Sequence, residues 1–140
     1  MTDFTLTATV PAPYDATVDR VRALLADAGF GVLTEVDLQA TLRAKLEVEI
    51  PPQVILGACR PQLAHQALQA DPRLATMLPC NVVVAAEGNA TRVEVLDPAV
   101  MTTFSDAPGL ATVAAEARDR LSGMMKALTA GLEDTDAARA

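Results

Sequence analysis

The sequence predicts an α+β domain in which helices cover a mostly antiparallel sheet and a long C-terminal helix packs across one face. Residues Thr5–Val10 alternate hydroxyl-bearing and apolar side chains with period two, as in a strand with one buried face. Two strand-like runs flank a glycine-containing turn at 87–90, which predicts a hairpin. An apolar seam from Leu110 to Leu128 predicts the long helix. Because strand and helix patterns do not alternate regularly, we do not expect a doubly wound parallel sheet.

The first strand stops at Pro11 and Pro13, and a helix follows it. Gly29 occupies the position where the end of this helix needs a residue that adopts the left-handed conformation. Phe30 to Val36 then predicts a second strand. The apolar residues that recur at helical spacing are Val18, Val21, Leu24, Leu25 and Ala28.

A short second helix is predicted after this strand. Asp37 can cap its N-terminus, and Leu38, Leu42 and Leu46 share one side of it before Pro51-Pro52 ends the segment. The run 54–59 is apolar without alternation, as in a strand covered on both faces.

A third helix is predicted to open at Pro61, which suits a first helical turn. Its inner stripe is predicted to be Ala64, Ala67 and Leu68, up to a turn at Asp71-Pro72. Residues 81–86 and 92–96 form the predicted hairpin, and an irregular passage continues to Pro108.

The last helix carries a heptad-like seam. Spacing of this kind packs either on a partner helix or on the protein's own sheet, and over fewer than three heptads we favour the sheet. We predict one domain over residues 1–132 and a polar tail over 133–140. The seam consists of Leu110, Ala114, Ala117, Leu121, Met124 and Leu128.

Composition excludes some classes of partner. The 140 residues carry 11 basic and 18 acidic side chains, and the net charge of −7 opposes binding to nucleic acid. No apolar run reaches the roughly 20 residues that cross a bilayer, and the N-terminus has no secretory pattern. We therefore expect a soluble, cytoplasmic protein without a membrane partner, whose two cysteines are reduced thiols.

The residues that suggest chemistry are concentrated in one block. It holds both cysteines, Cys59 and Cys80, and the only histidine, His65. Arg60 and Asn81 adjoin the cysteines and complete the set of candidate ligand-binding or reactive-thiol residues. The block lacks the close ligand pairs of zinc sites, and it matches no phosphate loop or nucleophile elbow, so no catalytic residue and no cofactor is predicted.

The two cysteines can lie together only in one topology. If the strands that carry them are antiparallel, both thiols lie at one end of the sheet, and we favour this arrangement. If the strands are parallel, about 20 Å separates the thiols, since each strand residue advances about 3.3 Å. Cys59 would precede the helix at Pro61 beside Arg60, a location that favours thiolate. Burial as a small hydrophobic residue is the competing interpretation for each cysteine.

The chain resembles the bacterial and archaeal family catalogued as domain of unknown function 302. The resemblance extends from about Val10 to Met101 and implies an α+β fold, a dimer and no defined reaction. Glu47 stands where the resemblance implies a glycine after Lys45-Leu46. The residues and motifs that carry the resemblance are Gly29-Phe30, Asp37, Lys45, Leu56-Gly57-Ala58-Cys59, Pro61, Ala64, Asp71-Pro72, Leu78-Pro79-Cys80-Asn81 and Asp97-Pro98.

Three functions remain open on the sequence. The first is a non-enzymatic module that binds a small ligand or a protein partner in a groove between the sheet and the long helix, assembled as a homodimer. It follows from a chain with one histidine and no paired catalytic acids. The second is thiol-dependent redox, persulfide or soft-metal handling by Cys59 and Cys80. The third is a purely structural role in an assembly.

Overall fold

The computed structural model describes the backbone of residues 3–139 and the side chains of residues 3–130. A five-stranded sheet, entirely antiparallel in its pairings, has the order β1-β5-β4-β3-β2. The strands are β1 (Thr5–Val10), β2 (Gly31–Asp37), β3 (Gln53–Cys59), β4 (Cys80–Glu87) and β5 (Ala90–Leu96). The α-helices are α1 (Tyr14–Asp27), α2 (Leu38–Leu46), α3 (Pro61–Ala70), α4 (Met101–Phe104) and α5 (Leu110–Arg139). The predicted α+β class is confirmed.

Local signals in the sequence set several of these boundaries. Gly29 has φ +90° at the end of α1, and the Asp37 carboxylate caps α2 by accepting a hydrogen bond from the Ala40 N–H at 2.9 Å. Gly88 has φ +62° in the hairpin turn, which is tighter than predicted because Glu87 already pairs with Ala90. Such positive φ values cost little only at glycine, which has no Cβ.

The helix-facing side of the sheet forms the main core. Alternate residues of β3, β4 and β5 are fully buried there beneath α1 and the C-terminal half of α5. This face includes Val54, Leu56, Ala58, Val82, Val84, Val93 and Val95. Val21 and Leu25 of α1 and Leu121 of α5 close the core from the helix side. On the opposite face, polar side chains line β1 and β5, and Thr7 donates to Glu94 at 3.2 Å.

The seam of α5 packs inside its own chain, as the sheet-packing interpretation predicted. All six seam residues are buried. The C-terminal half joins the sheet core, whereas Leu110, Ala114 and Ala117 form a second hydrophobic cluster with α3 and Met101. Because the seam is covered within one chain, its six residues are not available to a partner. The predicted polar tail, 133–140, lies outside the residues whose side chains are described.

Two expectations need correction. The inner stripe of α3 is Leu63 and Ala67, four positions apart, while Ala64 and Leu68 are only half-buried. The helix is therefore turned so that Leu63 joins the α5 cluster. The passage after Asp97 is more regular than predicted, since a 3-10 helix (Pro98–Val100) and α4 fill it. Asp97 starts the 3-10 helix by accepting from the Ala99 N–H at 2.9 Å.

Candidate functional site

A small apolar cavity lies at the junction of the two hydrophobic clusters, beside the ends of β3 and β4. It holds about 30 Å³ of space for water-sized molecules. Its wall is aliphatic or aromatic except for two thiols, one guanidinium and the thioether of Met101. The lining residues are Phe30, Ala58, Cys59, Arg60, Leu63, Ala64, Ala67, Leu78, Cys80, Met101, Val113 and Ala117.

The two cysteines reach this cavity because β3 and β4 are antiparallel. Ala58 lies directly opposite Cys80 in the ladder, so Cys59 and Cys80 end and begin their strands at the same end of the sheet. This is the arrangement that we favoured from the sequence. Both are free, half-buried thiols. Successive residues of a strand point to opposite faces, so the two side chains leave the sheet in opposite directions.

Cys80 lies in an environment that disfavours its thiolate. Burial first, and then the neighbouring Cys59, raise the pKa of the Cys80 thiol to about 11. The physical cause is that a charge in apolar surroundings loses its hydration. At neutral pH the Cys80 side chain is therefore an uncharged thiol facing an apolar space.

Arg60 closes one side of the cavity and is held by groups on two other elements. Its Nη1 donates to the Gly29 carbonyl at 3.3 Å, and its Nε lies 3.8 Å from the Glu116 carboxylate on α5. Arg120 donates to the Ala28 carbonyl at 3.0 Å and to the same Glu116 carboxylate at 3.1 Å. Two cations thus cap the C-terminal carbonyls of α1, where the helix dipole favours positive charge.

This arrangement changes the expected role of Arg60. The sequence places its charge next to Cys59, yet the guanidinium points to the end of α1 and to Glu116. The buried Nε has no hydrogen-bond partner among the described side chains. Arg60 therefore links the end of β3 to the end of α1 and to α5.

Two of the five candidate residues lie away from the cavity. His65 is exposed on α3, two positions from both Leu63 and Ala67, which face inward. Asn81 is exposed on β4 opposite Gly57, on the sheet face that Cys80 does not share. The structure therefore brings together Cys59, Arg60 and Cys80 and leaves His65 and Asn81 outside the cavity lining.

The close packing of Thr34 and Pro79 against β3 depends on Gly57. A Cβ at this position would meet the Thr34 hydroxyl and would lie 2.8 Å from Cγ of Pro79. Pro79 follows Leu78 through a cis peptide bond and leads directly into Cys80. A glycine in β3 thus lets the Leu78-Pro79 segment pack tightly at the end of β4.

A second, more open cleft lies between α1 and β2. Asp15, Asp19, Glu35 and Asp37 line it together with Tyr14. Arg22 donates to Glu35 at 2.6 Å, so one of these carboxylates is already paired. Burial, followed by the charges of Asp37, Asp15 and Glu35, raises the pKa of Tyr14. Across residues 3–130, no group of three or more His, Cys, Asp or Glu side chains is placed to hold a metal ion.

Within the described part of the chain, no helix is long and apolar enough to cross a membrane.

Comparisons with known proteins agree with the fold and the resemblance. Residues 6–128 match the family described as "Domain of unknown function DUF302". The chain belongs to the DUF302 family. A solved structure, "Crystal structure of uncharacterized conserved protein DUF302 from Bacillus stearothermophilus", is 28% identical, with a TM-score of 0.82. The similarity covers 89% of this chain and 98% of that chain. No curated protein is significantly similar to this DUF302 domain.

In this DUF302 domain, Glu47 occupies the position where the resemblance implies a glycine. Glu47 ends α2 with φ +57°, the one positive φ at a non-glycine residue among the described backbone. Its N–H donates to the Arg43 carbonyl at 3.0 Å, so it takes the left-handed position after the helix. The turn therefore keeps the conformation that glycine favours and accepts the cost of a side chain there.

Sequence reasoning missed most of the cavity wall. Phe30, Met101 and the pair Val113 and Ala117 on α5 come from three separate parts of the chain, and only folding brings them next to Cys80. The one usable signal is Phe30, which directly follows the helix-ending Gly29 and is buried at the start of the β2 edge. The other three have ordinary helical patterns that predict burial but not a shared cavity.

Proposed function

We propose that this DUF302 domain is a non-enzymatic binding module whose cavity receives a compact apolar group. The group belongs either to a small ligand or to one side chain of a protein partner. The observation that carries the proposal is the cavity wall itself, which combines Leu63, Leu78 and Val113 with few polar groups. Binding sites are concave and mainly apolar, with a small number of polar groups that fix orientation.

The ionisable groups of the wall favour binding over catalysis. Cys80 is uncharged at neutral pH because burial raises its pKa to about 11. Arg60 is engaged with the Gly29 carbonyl and Glu116. General acid-base catalysis needs a group that exchanges its proton near the working pH. Of the three ionisable side chains in the described cavity wall, only Cys59 is left as a candidate for such proton exchange.

The size of the cavity limits what it receives. Its space of about 30 Å³ for water-sized molecules suits one or two such molecules. A drug-sized ligand fills a cleft of about 300 Å³ or more. We therefore propose that the end of an aliphatic chain, such as a methyl or isopropyl group, enters the cavity, while the rest of the ligand or partner stays outside.

The test is a titration with short-chain aliphatic alcohols and acids, in which NMR of the methyl groups monitors binding. The expected result is a saturable shift confined to Leu63, Met101 and Val113. Ala64→Leu should abolish it by filling the cavity from α3, because Ala64 lines the wall. Ala115→Leu, at an exposed position of α5, is the matched control. Shifts that persist in Ala64→Leu, or no saturable shift with any compound, would contradict the proposal.

Thiol chemistry is the second candidate, and the shared cavity of Cys59 and Cys80 favours it. The thioether of Met101 lines the same space, so three soft sulfur groups are available there. The opposite directions of the two cysteine side chains favour separate roles over a direct disulfide. Redox, persulfide or soft-metal handling would use Cys59 as the reactive sulfur and Cys80 as its neighbour.

We also propose that the domain assembles as a homodimer. The buried α5 seam cannot supply the interface, so another apolar surface is required. Light scattering at micromolar concentration tests the assembly directly, and a monomer would remove this part of the proposal while leaving the cavity experiment unaffected.

A further inference from the structure

Exposed apolar side chains are concentrated in one short segment of the chain. Among the described residues, six large apolar side chains are exposed, and four of them fall between residues 33 and 48. The exposed fractions are 66% for Leu33, 42% for Val36, 65% for Leu46 and 44% for Val48. The other two, Phe4 and Phe104, lie elsewhere. These four residues lie on β2, at the end of α2 and just after it, and we call the exposed area that they define the β2–α2 surface.

Helix α2 is incompletely covered by its own chain. It has no buried residue, although Leu38, Leu42 and Leu46 stand four positions apart on one side. Leu38 and Leu42 are half-buried against the sheet, and Leu46 extends beyond it. A short amphipathic helix obtains its stability mainly from packing of its apolar side, so α2 lacks part of the cover that its sequence suits.

The charges along α2 suit a second copy of the same helix. Asp37 stands at its N-terminus, and Lys45 stands in its last turn, seven positions after Leu38 on the flank of the apolar side. Arg43 is already bound to Glu49 through two hydrogen bonds of 2.9 and 2.8 Å. Neither Asp37 nor Lys45 joins an ion pair with another described side chain. In an antiparallel pair, the basic Lys45 end of each α2 would lie beside the acidic Asp37 end of the other copy.

We propose that the β2–α2 surface is the interface between two copies of this chain, related by a two-fold axis that sets their α2 helices antiparallel. The inference rests on the proposed homodimer and locates its contact. A two-fold interface uses the same patch on both subunits, so a helix with an acidic start and a basic end is self-complementary when reversed.

The contact is made by side chains rather than by joining two sheets edge to edge. Strand β2 is an edge strand, but its register shifts between Val32 and Thr34, which leaves a bulge at Leu33. Glu35 points to the helix side and binds Arg22 at 2.6 Å. Bulges and inward-pointing charges are features that prevent edge strands from pairing with another chain.

The first arm of the test substitutes one apolar residue on the β2–α2 surface. Leu46→Glu should weaken the dimer by ~10-fold or more in sedimentation experiments, because it places a charge in the apolar contact. Phe104→Glu is the matched control, since Phe104 is 72% exposed and lies on α4, outside the β2–α2 surface. Circular dichroism of both variants checks whether they remain folded. Dissociation by Phe104→Glu and not by Leu46→Glu would overturn the inference.

The second arm tests the charge pairing. Lys45→Glu should weaken the dimer severalfold at low salt, with a smaller effect at high salt because ions screen the pairing. Lys126→Glu, at an exposed position of α5, controls for net charge. Equal effects of the two variants would contradict the antiparallel arrangement.

The result for the unmodified protein separates the two levels of the proposal. A monomer at every concentration would remove the homodimer and with it this interface. A dimer that survives both Leu46→Glu and Lys45→Glu would keep the assembly and remove this interface alone. A dimer that both variants weaken, with both controls intact, supports the interface.

Discussion

Cys59 and Cys80 line one cavity while leaving their strands in opposite directions, because Ala58, not Cys59, is the ladder partner of Cys80. The two thiols therefore have different surroundings, and experiments must follow them separately.

The first prediction concerns alkylation of the two cysteines. Burial is the main cause of the raised pKa of Cys80 and is still present in Cys59→Ser, so Cys80 in that variant should label slowly at neutral pH and faster only under alkaline conditions. Cys59 in Cys80→Ser should label faster at neutral pH, since it precedes α3 at the edge of the cavity. Rates measured from about pH 6 to 10 test this, with the unfolded protein as reference. Labelling of neither residue before unfolding would remove the thiol-chemistry candidate.

The second prediction concerns the core position Leu121. Its side chain is fully buried in the α5 seam against the sheet. Leu121→Ala should lower the free energy of unfolding by about 2–5 kcal/mol, since it removes packed methyl groups and leaves a cavity. Urea unfolding measures the change, with Ser122→Ala, a half-buried neighbour on the same helix, as control. A loss below about 0.5 kcal/mol would mean that the helix packs by another face.

The third prediction concerns the left-handed residue Glu47. Glu47→Gly should raise the free energy of unfolding by about 0.5–1 kcal/mol, because glycine adopts φ +57° without a Cβ clash. Glu47→Ala keeps the Cβ and removes the carboxylate, so it should give no comparable gain. Thermal and urea unfolding of the two variants separate conformational strain from charge. An equal gain in both would assign the effect to the carboxylate.

The fourth prediction concerns Asp71, the carboxylate that joins α3 to the segment before α5. It accepts hydrogen bonds from the Arg73 side chain at 3.0 and 2.8 Å and from the Ser105 hydroxyl at 2.7 Å. Arg73 first, then Ser105 and the Arg73 N–H, lower the pKa of Asp71 well below its usual range.

This shift fixes the sign of the pH dependence. A carboxyl whose pKa is lower in the folded state stabilises the protein above its unfolded value of about 3.9, and the contribution is lost as pH falls through the folded value. Asp71→Asn should therefore destabilise the protein most at neutral pH, and its difference from the unmodified protein should shrink in acid. Asp119→Asn, an exposed carboxylate on α5, is the control. A difference that grows on acidification would contradict the assignment.

The sequence by itself determined the elements and several of their ends. The α5 seam, the Asp37 cap, the glycine at 29 and the hairpin turn at Gly88 are encoded by residues near one another in the chain. Helical spacing, capping and positive φ are local physical constraints, so the pattern alone predicts them. The pairing of β3 with β4 followed from the hairpin-rich pattern, and it correctly placed both cysteines at one end of the sheet.

Only the tertiary structure decided which side chains share a space. Packing turned α3 so that Leu63 rather than Leu68 faces inward, and this rotation leaves His65 in solvent. Glu116, 56 positions after Arg60, lies with its carboxylate 3.8 Å from the Arg60 Nε. Neither the rotation of α3 nor the contact between Arg60 and Glu116 can be predicted from neighbouring residues in the sequence. Both depend on contacts between elements distant in sequence, and such contacts form only when the core packs.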